Sequence, residues 1–337
     1  MSENRRFLLV RRPQGEPVEN DFRLEMGAIP APPPGGIVIR NRFASLDPAQ
    51  RGWMDDAESY MPPIALGDPV RATTVGVVHA SDNPEFAVGQ WVMGLNALED
   101  YSVAMPGGFT MAIDVDAVPS PSNYLSALGA VGLTAYFGLV EVARPQPGET
   151  LLVSGAAGAV GSAVGQIGKI MGCRVVGIAG GAEKCRRLIE DYGFDAAVDY
   201  KGKDHEALVA AIAEAAPDGA NVVFENVGGA VMEAEVFNLA MRARIVLCGL
   251  IAEYNSEEKV GIRNLWQILA RRAVLHGFLI ADYADRFAEG GAQMARWLSE
   301  GRLRADEDVQ EGLENAYAAF MRLFSGANTG KLVLKIA

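Results

Sequence analysis

Residues 150–168 read TLLVSGAAGAVGSAVGQIG. A short apolar run enters Gly155-Ala156-Ala157-Gly158-Ala159-Val160-Gly161. From there Val160, Ala163, Val164, Ile167 and Met171 fall on one face at helical spacing. A strand that turns through glycines into an amphipathic helix is the phosphate-binding entry of a doubly wound nucleotide fold. Gly158 lets the backbone approach a pyrophosphate, and Gly161 allows close contact between helix and strand. The helix N-terminus adds unpaired N–H groups and a positive dipole. Ala156 stands where the first glycine of the pattern usually sits, so the turn must accommodate a methyl group.

Outward from this point, strand-like runs at 150–154, 174–179, 196–200, 221–226, 244–249 and 273–280 alternate with helical patterns at 160–171, 183–192, 206–215 and 231–242. Such alternation predicts a parallel sheet covered on both faces, an α/β domain of six strands. The chain before residue 122 differs: it holds 14 of the 17 prolines. Short strand-like runs at 5–10, 36–42, 70–79 and 90–92 are separated by turn residues, and the proline cluster at 30–36 suits neither helix nor central strand. A β-rich barrel or sandwich is expected there. After about Tyr283 come two amphipathic helices (Phe287, Met294, Trp297, Leu298; then Leu313, Tyr317, Phe320, Met321, Phe324) and a terminal strand at 331–336. This tail is expected to return to the first domain. The expected domains are therefore 1–122 with 300–337, and 123–299.

The chain has 337 residues, with 30 Lys and Arg against 42 Asp and Glu, a formal net charge of −12. That balance argues against nucleic acid, which is bound through a basic surface. Three cysteines make no disulfide framework and fit a reducing compartment. Residues 117–140 and 151–168 are uncharged but interrupted by proline or glycine, unlike a membrane span of about 20 apolar residues. The N-terminal arginines enclose an apolar run at 7–10 only, short of the roughly 7–15 residues of a signal peptide core. A cytoplasmic protein without a membrane partner is expected.

Selectivity for the adenosine ribose is decided after the second strand, where Asp or Glu would bond the 2′-hydroxyl and repel a 2′-phosphate. Residues 174–179 run into Gly180-Gly181-Ala182 with no acid; Lys184, Arg186 and Arg187 follow, and Glu183 lies past the glycines. This favours NADP over NAD; the plainer reading makes Lys184 a solvated residue at a helix start. The three histidines (His79, His205, His276) and three cysteines are scattered singly, without CxxC or HExxH spacing, so no metal site is expected. Cys248 reads as a small buried hydrophobe, and no GxSxG elbow supports hydrolysis.

Taken together, these segments resemble the zinc-independent medium-chain dehydrogenase/reductases. The similarity is to the leukotriene B4 dehydrogenase, prostaglandin reductase and curcumin reductase group of NADPH-dependent alkenal/one reductases. It covers nearly the whole chain: Ser45-Leu46-Asp47-Pro48 with Arg51-Gly52, the 155–167 segment, 180–184, Asp199-Tyr200-Lys201, and Phe224 through Gly229. It continues through Cys248 to Asn255, Phe278-Leu279-Ile280 and Asn328 to Lys331. The resemblance implies a GroES-like β-rich catalytic domain plus a Rossmann cofactor domain, with the active site in the cleft between them. It also implies a homodimer joined through the Rossmann sheet edge. It puts Gly158, Ala159, Val160 and Gly161 on the pyrophosphate, and Lys184 and Tyr200 on the 2′-phosphate. Asn226, Cys248, Gly249, Leu250, Ile251 and Tyr254 follow along ribose and nicotinamide, with Phe278, Leu279, Ile280 and Asn328 at the nicotinamide end.

The implied reaction is NADPH-dependent reduction of the C=C bond of α,β-unsaturated ketones or aldehydes. Hydride goes to the β-carbon while charge builds on the carbonyl oxygen as an enolate. A donor aimed at that oxygen stabilises the transition state. Tyr254 is the catalytic candidate, alone or with the cofactor ribose hydroxyl, and a tyrosine with a pKa near 10 is a protonated donor at neutral pH. The α-carbon proton comes from Tyr254 or water; the alternative makes Tyr254 a structural aromatic. Trp53, Tyr60 and Met61 are candidates for apolar walls around a hydrophobic enone or equally for ordinary packing. Ala49-Gln50 departs from the larger pair common in relatives. Two other readings stand beside this one: an NADPH-dependent quinone reductase, and a non-catalytic nucleotide-binding regulatory protein.

Overall fold

Short strands paired antiparallel make up much of the first part of the chain. The structure, a computed structural model, describes residues 3–105, 107–256 and 261–336. β1 (Glu3–Leu9) pairs antiparallel with β2 (Phe22–Ala28), and Phe7 stacks on Phe22 at 5.0 Å. After the irregular proline cluster come β3 (Ile37–Ser45), α1 (Ala49–Trp53), β4 (Arg71–Ser81), β5 (Trp91–Ala97), β6 (Tyr101–Ala104) and β7 (Thr110–Ala112). The alternating region then follows: α2 (Ala130–Phe137), β8 (Thr150–Val153), α3 (Ala159–Ile170), β9 (Arg174–Ala179), α4 (Ala182–Glu190), β10 (Ala196–Asp199), α5 (His205–Ala215) and β11 (Ala220–Glu225). It closes with α6 (Gly229–Phe237), β12 (Leu239–Leu247), α7 (Leu265–Arg271), β13 (Val274–Gly277) and α8 (Phe287–Ser299). Last are β14 (Glu307–Glu311), α9 (Ala316–Ser325) and β15 (Lys331–Lys335).

The chain divides into two compact units. One comprises Met1–Leu125, Glu307–Asn328 and Leu332–Ala337; the other comprises Ser126–Asp306 and Thr329–Lys331. In the first, a seven-stranded sheet runs β14-β15-β3-β4-β5-β7, with β6 also paired to β3. β15 lies antiparallel to β3. Leu9, Leu46, Met54, Leu313, Phe320 and Leu334 are core residues of this unit. In the second, six parallel strands run β10-β9-β8-β11-β12-β13. This is the 3-2-1-4-5-6 order of a Rossmann sheet. Leu151, Val153, Val175, Val222, Phe224 and Val246 pack under α3 and α2, while Leu152, Val176, Ile178, Val223 and Ile245 belong to a cluster with residues of α5 and α6. Among the described residues no helix is long and apolar enough to cross a membrane.

One helical expectation is corrected. The pattern at 231–242 ran too far: α6 ends at Phe237, and Leu239 already belongs to β12. Asn238 makes the reversal, its amide side chain donating to the Ala234 carbonyl at 3.0 Å. β12 carries an irregularity in its pairing with β11, and Arg242 sits there at φ 60°. The strand read at 273–280 is confined to β13, and β2, β6, β7 and β14 are strands that periodicity did not mark.

Candidate active site

The turn between β8 and α3 is shaped by side chains that are missing. A Cβ built on Gly161 would lie 2.4 Å from the Gly155 carbonyl oxygen, so only glycine lets the first turn of α3 approach the strand end this closely. Gly158 caps α3 without a side chain, and its amide donates to Gly155 O at 2.9 Å. Ala159 and Val160 begin α3, partly exposed, and no acid stands in the first turn to oppose an anion. Ala156 is fully buried, and its methyl group lies where a Cβ on Gly177 would be 2.9 Å away. The neighbouring strand therefore supplies the room that the usual first glycine would have left.

A second cluster forms at the tip of β9. Gly181 precedes α4 at φ 100°, a backbone conformation that favours glycine. Its amide and that of Lys201 both donate to Asp199 Oδ1, at 2.8 and 3.0 Å, so this acid is held by backbone at the end of β10. Those bonds keep the Asp199 carboxyl below its ordinary range despite some burial. Tyr200 brings its hydroxyl against the Gly180 backbone, where a built Cβ would be 2.9 Å from it. Lys184 in the first turn of α4 is half-buried; burial, then Lys201 and Arg187, lower its ammonium below the ordinary lysine value. Three charged neighbours are engaged elsewhere. Glu183 binds Arg186 through both oxygens, at 2.6 and 3.0 Å. Arg187 pairs with Asp191 and Asp306. The acid that sequence placed nearest the phosphate position is thus turned onto an arginine.

The third cluster joins the ends of β11 and β12. Asn226 donates its side-chain amide to Ser154 O at 2.8 Å, and its backbone amide to Ser154 Oγ, also at 2.8 Å. Cys248 and Gly249 donate to the Glu225 carbonyl at 2.9 and 3.1 Å. Ile251 and Ala252 donate to the carbonyls of Asn226 and Val227. Two segments are therefore laced together by backbone. Tyr254 lies beside them: its hydroxyl oxygen accepts from the Leu250 amide at 3.2 Å, in contact with Gly249. Burial and the Glu225 carboxylate push the Cys248 thiol up to about 12. Phe278 is buried and packs near Tyr283; Leu279 is exposed and Ile280 partly so.

In the first unit, Trp53 Nε1 donates to the Tyr60 hydroxyl at 3.2 Å, with the Arg71 guanidinium over the indole at 5.9 Å. Met61 follows Tyr60 in the chain, and Asn328 follows α9. Gln50, the unusual residue, is buried and structural: it accepts from the Asp47 amide at 2.9 Å and donates to Arg71 O at 2.8 Å. Sequence reading missed the parts of Ser154, Gly180 and Asp199. A hydroxyl or acid closing an apolar strand is the signal that marks the first and third.

These cradles fit a phosphorylated dinucleotide: a glycine turn at a helix start, then a lysine and a phenol at the next strand tip. The chain matches two family models, "N-terminal domain of oxidoreductase" over residues 5–112 and "Zinc-binding dehydrogenase" over 159–296. Among the described residues no group of three or more His, Cys, Asp or Glu is placed to hold a metal ion. The chain is 41% identical to the NADPH-dependent curcumin reductase of Escherichia coli, over 99% of this chain and 97% of that protein. It is 38% identical to the NADP(+)-dependent 2-alkenal reductase of Nicotiana tabacum, over 99% and 98%. The crystal structure of CurA from Vibrio vulnificus in complex with NADPH superposes with a TM-score of 0.92 at 40% identity, covering 99% of both chains.

Proposed function

The chain belongs to the NADP-dependent medium-chain dehydrogenase/reductases, in the group that includes the curcumin and 2-alkenal reductases, and from that premise we propose that it reduces the C=C bond of α,β-unsaturated ketones and aldehydes. The observation that carries this reading is the laced pair of segments, 226–229 and 248–252, with the Tyr254 hydroxyl beside them. NADP(H) is the cofactor, and when bound it supplies the hydride for the β-carbon. Gly158 to Gly161 bind the pyrophosphate through backbone amides. Lys184 and Tyr200 bind the 2′-phosphate. Asn226, held by Ser154, orients the ribose side, and the backbones of 248–251 and 278–280 flank the nicotinamide.

Tyr254 is the donor aimed at the substrate carbonyl oxygen. Its oxygen accepts an amide hydrogen from Leu250, a bond that would stabilise a phenolate if the phenolic proton moved to the α-carbon. The protein is read as a cytoplasmic homodimer. Leu265, Trp266 and Leu269 of α7 and Val274 of β13 stand exposed at the edge of the parallel sheet, which supports an interface there.

The test is consumption of NADPH absorbance with a panel of enones, enals and quinones. Turnover on conjugated alkenes, reduced about 100-fold or more in Tyr254→Phe, is expected. Faster quinone turnover would replace the reading with quinone reduction, and tight NADPH binding without any turnover would replace it with a regulatory role.

A further inference from the structure

Two carboxyl groups lie buried inside the parallel-sheet unit. Glu225 at the end of β11 is fully buried, and Glu235 on α6 is 1% exposed. Glu225 Oε1 accepts the amide hydrogens of Val227 and Gly228, both at 2.5 Å. Its Oε2 and both oxygens of Glu235 meet no donor among the described residues. Val223 and Glu225 share one face of β11, and Val223 lies in one cluster with residues of α6, so the two carboxyls belong to the same buried layer. Two ionised carboxylates close together in a dry interior repel strongly, and one proton between them turns repulsion into a charge-assisted bond. No set of metal ligands offers another remedy among the described residues. Burial and the Glu225 charge hold the Glu235 carboxyl well above its ordinary range. Cys248, the other titratable group on this cluster, keeps its proton for the same reasons.

We propose that Glu235 is a positioning residue: as a neutral carboxylic acid it donates to Glu225 Oε2 and so fixes the carboxylate that holds the 226–229 turn. That turn needs fixing, because Gly228 and Gly229 both take left-handed conformations, at φ 78° and 53°. Glu225 binds the amide of the first and that of Val227 before it, and its own carbonyl holds Cys248 and Gly249. Glu235 thus acts through Glu225 on both segments assigned to the nicotinamide side. The inference rests on that assignment.

The test compares full-length wild type, Glu235→Gln and Glu235→Leu. In infrared spectra of the cofactor-free protein at neutral pH, wild type shows the carbonyl stretch of an un-ionised buried carboxylic acid, and E235Q lacks it. Glutamine still offers a donor to Glu225, so E235Q keeps the NADPH dissociation constant within about twofold, whereas E235L raises it about tenfold, the worth of one charged hydrogen bond. A missing wild-type band overturns the shared proton. A present band with equal NADPH binding in all three proteins overturns the positioning role, as does an E235L defect confined to kcat. If NADPH binds but leaves hydrogen exchange of the 226–229 and 248–252 amides unchanged, the cofactor assignment fails together with the role built on it, while the band stands.

Discussion

Lys184→Ala removes one ammonium group from the tip of β9 and leaves the backbone cradle around it intact. In the wild type that ammonium is half-buried beside Lys201 and Arg187, so much of its water is already gone and its charge is opposed by like charges. A 2′-phosphate relieves that opposition and gains a charge-assisted bond, worth about 1.5–3 kcal/mol. Lys201 and the Tyr200 hydroxyl remain in the variant, which puts the loss near the middle of that range. About 2 kcal/mol is a ~30-fold rise in the NADPH dissociation constant. NADH has no 2′-phosphate, and its affinity is expected to change less than about threefold. Fluorescence titration of both nucleotides against wild type, K184A and K201A reads these values directly. Lys201 is exposed, so K201A should cost little and that little should fade with salt. Equal losses of NADPH and NADH binding in K184A would refute the phosphate role and make Lys184 a structural residue.

Four further outcomes follow from the same geometry. As pH rises through the lowered Lys184 value, the ammonium loses its charge and the NADPH dissociation constant should climb while that of NADH stays flat; K201A removes a like charge and should move the climb to higher pH. Gly161→Ala forces a methyl group against the Gly155 carbonyl, and a loss of about 1–3 kcal/mol, seen as a lower thermal midpoint, should accompany weaker binding of both nucleotides. The folded value of Glu235 is raised, so its contribution to stability is full below the ordinary carboxyl range and is lost as pH rises. Relative to E235Q, wild type should lose about 1.4 kcal/mol per pH unit above about pH 4.5, until its folded value is reached, and parallel midpoint curves would contradict this. Trp266→Glu places a charge on the exposed apolar face of α7 and should shift sedimentation toward the monomer; an unchanged assembly would move the interface elsewhere.

The parallel sheet was legible because its central strands are apolar runs buried on both faces, and helices such as α3 keep one stripe. Residues 174–179 coincide with β9 for that reason. The 231–242 helix overran because Leu239, Ala240 and Met241 continue the apolar pattern past Asn238, where only tertiary pairing with β11 decides for a strand. β14, reading EDVQE, is a strand by pairing and not by propensity, so no local signal announces it. In the site, Lys184, Tyr200 and the glycine turn were visible as motifs. That Glu183 is spent on Arg186 and Asp199 on backbone amides was not, since both depend on rotamers and turn geometry. The Glu225 and Glu235 pair was hidden for a simpler reason: a strand end and a helix ten residues apart meet only after the chain reverses.

The contact between the Tyr200 hydroxyl and the Gly180 backbone has an evolutionary consequence. A change toward NADH would ordinarily begin with an acid at the tip of β9. Here any side chain at position 180 meets the phenol first, at 2.9 Å from the Cβ. Tyr200 would have to shrink before the acid could enter, and an intermediate with neither group would bind both nucleotides poorly. Preference for the phosphorylated cofactor is thereby protected by steric order, and a library that varies position 180 alone should return no NADH-preferring clones, while one that varies 180 and 200 together should.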